Sequence, residues 1–201
     1  MRRLAAAVLA VGVLLAGCGV GEDAVEPSQE FQFVAPGGQT EITYDPPDSR
    51  RAPGGIRGDS LQRAGATVGL DDYAGRVVVV NIWGSWCGPC REEVHDLQAM
   101  ADQLVGDGVS VLGVDIKDSR TDAADFLTAR GIRYDSIFDP AGRSLLGLRG
   151  FPRNVVPSTL VFDRQHRVAA VYLAQVRQAQ LRPLLDRLAA EPAASAVPGP
   201  S

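Results

Sequence analysis

Residues 77 to 94 read VVVVNIWGSWCGPCREEV, an apolar run followed by two cysteines and a charged segment. The apolar run, Val77 to Trp83, is typical of a buried strand in its length and its β-branched composition. The residues after Cys90 have the composition and spacing of an amphipathic helix. A Cys-x-x-Cys pair at such a strand-to-helix turn indicates redox chemistry.

The position of the two thiols predicts different roles for them. A helix N-terminus carries unsatisfied backbone N–H groups and the positive end of the helix dipole, and both favour a thiolate. We therefore expect Cys87 to attack a partner disulfide, and Cys90, one turn further in, to resolve the mixed disulfide. Trp86 is predicted to pack beside the sulfurs and to form part of the substrate surface, although an ordinary core tryptophan is the alternative.

Other interpretations of the cysteine pair are weaker. A structural disulfide would close a negligible loop and add little stability. A zinc site needs about four ligands, and only His95 and His166 are available as further soft ligands. A peroxidase would keep one peroxidatic cysteine in a different setting. Dithiol exchange is therefore favoured, with no metal, and no cofactor is predicted because the chain has no nucleotide-binding motif.

Strands and helices alternate on either side of the cysteines. The predicted strands are 77–82, 109–116, 134–138, 159–162 and 168–173, and the predicted helices are the one after Cys87 and those at 121–130, 141–148 and 178–190. The last two strands are expected to pair as a hairpin. Pro183 is tolerable only near the first turn of the final helix. The pattern predicts an α/β fold, a mixed sheet with helices on both faces.

The first 17 residues differ from the rest of the chain. Arg2 and Arg3 precede an apolar stretch too short for a membrane span, as in a secretory signal peptide. The following Leu15-Ala16-Gly17-Cys18 closely resembles a bacterial lipoprotein signal, which implies a diacylglyceryl group on Cys18 and cleavage before it. An ordinary secretory leader with an incidental cysteine is the alternative, and twin-arginine export fits less well.

The cysteine count and the charge agree with a lipoprotein. Cleavage before Cys18 would remove 17 of 201 residues and change the formal charge from −4 to −6. The three cysteines would then be one lipid attachment site and one dithiol. Residues 18–60 are predicted to be a membrane tether and an irregular segment, and residues 191–201 a disordered tail. The sequence has no basic cluster, so a nucleic-acid partner is not expected.

From about Gly65 to Leu188 the chain resembles a known family. The motifs that carry the resemblance are residues 79–93 and Val156-Pro157-Ser158-Thr159-Leu160-Val161-Phe162. They resemble those of the membrane-anchored, extracytoplasmic thioredoxin-like oxidoreductases of the TlpA/ResA type, which serve cytochrome c biogenesis. The resemblance implies a thioredoxin-like domain at 61–190.

The resemblance also implies roles for further residues. Pro157 would follow a cis peptide beside the dithiol, so that Val156 and Pro157 bind a substrate strand, whereas the alternative is a proline that starts an edge strand. Glu93 lies on the helix face of Cys90, and the family carries an acid there that shuttles protons to the buried thiol. A solvated helix glutamate is the alternative. Asn81 stands where cytosolic thioredoxin has a buried aspartate.

These observations predict a lipid-anchored thiol–disulfide oxidoreductase on the outer face of the cytoplasmic membrane. By resemblance, its leading substrates are an oxidised protein such as apocytochrome c or the haem-ligation machinery. A membrane electron carrier would re-reduce it. Gly88 and Pro89 between the cysteines favour a reductant, because the thioredoxin pair lies near −270 mV and a strong oxidant near −120 mV. A disulfide-forming oxidase and a non-catalytic binding lipoprotein are the alternatives.

Overall fold

The computed structural model of the protein describes residues 30–192. The predicted signal peptide, the lipidation site Cys18 and residues 193–201 of the predicted tail lie outside this range. Eight strands are present in it: β1 (Glu41–Thr43), β2 (Arg57–Ser60), β3 (Thr67–Gly69), β4 (Val77–Trp83), β5 (Val109–Asp115), β6 (Ser136–Phe138), β7 (Ser158–Phe162) and β8 (Val168–Tyr172). They form one mixed sheet in the order β1-β8-β7-β4-β5-β6-β2-β3.

Strand β4 lies at the centre of the sheet, and all seven of its residues are buried. It pairs in parallel with β5 and antiparallel with β7. Because side chains alternate across a strand, Val79 and Trp83 belong to one core cluster, and Val80 and Ile82 to the other. Burial on both faces explains the continuous apolar run of the sequence.

The three α-helices pack on one face of the sheet. They are α1 (Cys90–Leu104), α2 (Arg120–Ala129) and α3 (Gln178–Ala190), and their buried apolar residues all belong to one core cluster. Since β4, β5 and β6 follow one another in a single direction, two right-handed crossovers leave α1 and α2 on the same side. Within residues 30–192, no helix is long and apolar enough to cross a membrane.

The sequence predicts helices on both faces of the sheet. Among residues 30–192, the α-helices all lie on one face, and the other face is covered differently. On the face opposite α1, the cluster contains Leu70 and Leu145 from single-turn 3₁₀ helices, together with residues of the N-terminal segment. The predicted helix 141–148 is wrong, because only Arg143–Leu145 forms a 3₁₀ turn. Gly142 has a left-handed φ of 65°, so a helix does not run through the start of the predicted range. Gly147 lies so close to Gly54 that a Cβ on it would be 2.7 Å from the Gly54 Cα.

The remaining predicted elements occur near their predicted positions. β5 and α2 each differ from their predicted bounds by one residue, β7 and β8 form the predicted hairpin, and α3 spans the predicted range. Pro183 lies in the second turn of α3, beyond the first turn where we expected it to be tolerable. The buried side chains of Leu181 and Leu185 flank it, and this packing offsets the backbone hydrogen bond that proline cannot make.

Two short parts of the segment predicted to be irregular, Glu41–Thr43 and Arg57–Ser60, belong to the sheet. β1 pairs with β8, and the β2–β3 hairpin extends the opposite edge through β6. Phe31 and Phe33 are buried in the core. The Arg-Gly-Asp-Ser sequence of β2 has no alternation of apolar and polar residues. The sequence therefore does not predict the hairpin.

Arg50 ties this segment to the rest of the protein. Its side chain is almost fully buried, and its guanidinium lies 3.2 Å from the buried Asp163 carboxylate and 2.7 Å from that of Glu191. Its Nε donates to the Tyr44 carbonyl. The N-terminal segment, the β7–β8 turn and the end of α3 therefore meet at one side chain.

Replacing Arg50 by Ala is expected to lower the free energy of unfolding by about 3 kcal/mol, because the buried Asp163 loses a charge partner. Urea unfolding measures the change. The control is Arg51→Ala, which removes hydrogen bonds to two backbone carbonyls only, and it should cost about 1 kcal/mol or less. Equal effects of the two substitutions would contradict the integration of residues 30–60 into the folded domain.

Candidate active site

The two cysteines lie where β4 ends and α1 begins, and a disulfide joins them. Cys90 is the first residue of α1 and is fully buried, whereas Cys87 retains 4% of its accessible surface. The Cys90 backbone N–H points at the Cys87 Sγ, with 3.2 Å between N and S. A Cys87 thiolate would therefore be stabilised by an unsatisfied N–H group at the helix start.

Trp86 covers the turn before the dithiol. Its side chain is 47% exposed, so the alternative of a core tryptophan is wrong. The indole N–H donates to the Ile116 carbonyl at 3.1 Å, and the Ser85 N–H donates to the Asp118 carboxylate at 2.6 Å. A Cβ at Gly84 would overlap the indole, which explains why glycine is needed there. The loop after β5 thus fixes the aromatic surface beside Cys87.

Glu93 is fully buried beneath the dithiol, one helical turn beyond Cys90. Its Oε1 accepts from the Asn81 side-chain amide at 2.8 Å, and its Oε2 accepts from the Val176 backbone N–H at 3.0 Å. Burial raises the pKa of Glu93 to about 7, although both hydrogen bonds and the Arg177 charge act in the opposite direction. The alternative of a solvated glutamate is therefore wrong, and its neighbour Glu92 is the exposed one.

Pro157 lies at the same end of the sheet. The Val156–Pro157 peptide bond is cis, as the resemblance implies. The next residue, Ser158, pairs with Ile82 near the end of β4, which places Pro157 beside the dithiol turn. Because β7 lies between β4 and β8, the alternative of a proline that opens an edge strand is wrong. Pro157 is buried and Val156 half-buried.

Two contacts of this site are not visible in the sequence. The loop before α3 supplies the Val176 N–H, and a backbone donor carries no sequence signature. Arg177 of the same loop pairs with Glu92 at 3.0 Å and holds the loop against the first turn of α1. Asn81 could have been found, since it is the one polar residue of a strand that is otherwise apolar.

The arrangement supports thiol–disulfide exchange. One sulfur has residual access and a backbone N–H to stabilise its anion, and the other is enclosed next to a carboxyl that titrates near neutral pH. Within residues 30–192, no group of three or more His, Cys, Asp or Glu side chains is placed to hold a metal ion.

Comparison with known proteins agrees with this chemistry. A family model described as "AhpC/TSA family" matches residues 56–171. The thiol:disulfide interchange protein DsbE of Allochromatium vinosum is 32% identical over 130 residues, which cover 63% of this chain and 70% of that protein.

Two solved structures from corynebacteria are more similar in sequence. A secreted thiol-disulfide isomerase from Corynebacterium glutamicum has a TM-score of 0.77 and 41% identity, and the match covers 80% of this chain and 98% of that one. A DsbF homologue from Corynebacterium diphtheriae has a TM-score of 0.73 and 44% identity, covering 79% and 99%.

The titration of Glu93 predicts a pH dependence of stability. In the folded protein its pKa is about 7, against an ordinary value of 4.5, so the folded state binds the proton more tightly than the unfolded state. Its contribution to stability is therefore complete below pH 4.5 and is lost as the pH rises to about 7, a change of roughly 3 kcal/mol.

Glu93→Gln should remove this part of the pH dependence, measured by urea unfolding of the oxidised protein from pH 4 to 8.5. A glutamine amide can donate to the Asn81 Oδ1, which has no hydrogen-bond partner among residues 30–192, so the variant is expected to fold. Glu92→Gln is the matched control, and its profile should parallel that of the wild type. A Glu93→Gln profile parallel to the wild type would show that Glu93 titrates normally.

Proposed function

We infer that this chain, which belongs to the AhpC/TSA family and is a thiol–disulfide oxidoreductase with a thioredoxin fold, reduces disulfide bonds in protein substrates. The fold and the enzyme class predicted from the sequence are confirmed by the family match and the relatives. The observation that carries the proposal is the pairing of an accessible Cys87 at the helix start with an enclosed Cys90 above Glu93.

The reaction uses the dithiol form of the protein. The Cys87 thiolate attacks one sulfur of the substrate disulfide, forming a mixed disulfide and releasing the first substrate thiolate. The Cys90 thiol then gives its proton to the Glu93 carboxylate and attacks the Cys87 sulfur, which releases the second substrate thiolate. Two electrons pass to the substrate, and the enzyme ends with the Cys87–Cys90 disulfide seen in the structure.

Glu93 suits the second step. Near neutral pH its carboxyl exchanges a proton readily, because its pKa is about 7. The enclosed Cys90 has no solvent to accept a proton, so a neighbouring base is needed. Trp86 and the edge formed by Val156 and Pro157 flank the entrance to Cys87, where we place the substrate strand.

The direction and place of the reaction are part of the proposal. Gly88 and Pro89 between the cysteines favour a reductant, and a membrane thiol-reducing carrier would restore the dithiol. The lipoprotein-like Leu15-Ala16-Gly17-Cys18 and the secreted relative from Corynebacterium glutamicum support an extracytoplasmic, lipid-anchored protein. Apocytochrome c or its haem-ligation machinery is the proposed substrate class, supported by the resemblance.

A Cys90→Ser variant is expected to accumulate mixed disulfides on Cys87, because the resolving thiol is gone. Cells that express it are quenched with acid and alkylated, and the adducts are identified by mass spectrometry. The Cys87→Ser variant is the control and should yield no adduct and no disulfide reductase activity. Intact cellular function of the Cys87→Ser variant would favour a non-catalytic binding protein, and adducts unrelated to cytochrome c assembly would remove that substrate class.

The redox state in the cell distinguishes a reductant from an oxidase. We expect Cys87 and Cys90 to be mainly thiols at steady state, measured by acid quenching and a mass-shifting alkylating reagent. A mainly oxidised pair would favour a disulfide-forming oxidase. In the same cells, Cys18→Ser should move the protein from the membrane fraction to the soluble fraction.

A further inference from the structure

A pocket of about 420 Å³ opens beside the dithiol turn. One part of its wall is Ile116 and Lys117, which follow β5, and another is the stretch from Phe151 to Asn154, which leads to Pro157. Ile116 is the residue whose carbonyl accepts the Trp86 indole N–H. The pocket therefore touches both loops that flank Cys87, so a polypeptide bound at Cys87 can reach it.

Two cations line this pocket, Lys117 and Arg153. Lys117 is exposed and is the single lysine among 201 residues, beside 19 arginines. Arg153 is exposed and donates one hydrogen bond to the Gly142 carbonyl at 3.3 Å. Neither side chain has a carboxylate partner among residues 30–192. Several other arginines there each form an ion pair with an aspartate or a glutamate.

The backbone conformation at Lys117 is unusual for a lysine. Its φ is 54°, in the left-handed region that residues other than glycine, asparagine and aspartate rarely adopt. The Lys117 N–H donates to the Pro140 carbonyl at 3.1 Å, which fixes this conformation against the pocket wall. Lysine has no local advantage at such a position, and a function for its charge explains its presence.

The carboxylates near the pocket bind groups other than the two cations. Asp118 accepts from the backbone N–H groups of Ser85 and Ser119, and Asp139 accepts from the N–H and the hydroxyl of Ser144. Asp115 is fully buried, and burial together with the Asp118 charge raises its pKa to about 8. Neither Asp118 nor Asp139 therefore forms an ion pair with Lys117 or Arg153.

We propose that this pocket, defined by Lys117 and Arg153, binds an acidic side chain of the substrate polypeptide near the cysteine that Cys87 attacks. The inference rests on the proposed function and names a property of its substrate. Charge complementarity carries it, because two cations on the loops that flank Cys87, without a carboxylate partner among residues 30–192, attract a carboxylate and repel a basic residue. The site selects among protein disulfides, whereas small disulfides do not reach it.

Three disulfide peptides that differ by one Glu, Gln or Lys flanking the cystine test this proposal. The wild-type enzyme, kept reduced by dithiothreitol, is expected to reduce the Glu peptide about fivefold faster in kcat/KM than the Gln peptide, and the Lys peptide more slowly still. The Glu preference should disappear in the Lys117→Gln, Arg153→Gln double variant, and it should shrink at high salt. Reduction of a small disulfide should be unchanged in the double variant.

Arg133→Gln is the matched control. This exposed arginine pairs with Asp102 beyond the middle of α1, away from the dithiol, and its loss should leave the Glu preference intact. Equal rates on the three peptides, or a preference that survives in the double variant, would overturn the acidic subsite while leaving the reductase intact. Failure of the wild type to reduce any peptide disulfide would overturn the proposed function and the subsite with it.

A second measurement uses the single lysine. A peptide with serine in place of cysteine cannot exchange disulfides, yet its Glu form should slow acetylation of Lys117 by an amine-reactive reagent, measured by mass spectrometry. The Gln form should not. Equal protection by the two forms would contradict the proposed carboxylate contact.

Discussion

The central constraint of this structure is the complete burial of β4 on both faces of the sheet. A strand without solvent exposure positions its last residue within narrow limits, and the dithiol turn follows at once. The Cys87 sulfur meets the first N–H of α1 because the turn between Trp83 and Cys90 is held from two sides. Gly84 lets the Trp86 indole fold back onto the Ile116 carbonyl, and the Asp118 carboxylate binds the Ser85 N–H.

Burial of Glu93 is the second consequence of this architecture. A carboxyl placed in an apolar core loses hydration, and two hydrogen bonds only partly replace it, so its pKa rises to about 7. The donors come from β4 and from the loop before α3, which are distant in the sequence. The buried Glu93 carboxyl lowers the stability of the folded protein at neutral pH. It lies near an enclosed thiol, where a group that exchanges protons near pH 7 is useful for catalysis.

Local patterns in the sequence predicted the central elements of the fold. The elements that they did not predict depend on contacts between residues that are distant in the sequence. The run from Val77 to Trp83 and the cysteine spacing identified the dithiol turn, because both depend on neighbouring residues. The sheet pairing of Arg57–Ser60 was hidden, since its polar residues become a strand only by pairing with β3 and β6. The helix expected at 141–148 is replaced by a 3₁₀ turn, and Gly147 there packs against Gly54, a contact across about ninety residues that no local pattern shows.

The two sides of the dithiol carry different ionisable groups. The proposed proton transfer and the proposed binding of the substrate carboxylate therefore take place on different sides. Glu93 lies inside, behind Cys90, and is closed off by the loop that Arg177 pins to Glu92. Lys117 and Arg153 lie outside, past Trp86, with no carboxylate partner within residues 30–192. A substrate carboxylate drawn to the outer cations stays away from the inner carboxyl, so it does not raise the pKa of Glu93 further. The electrostatic attraction that would select a substrate can therefore act without disturbing the proton transfer that resolves the mixed disulfide.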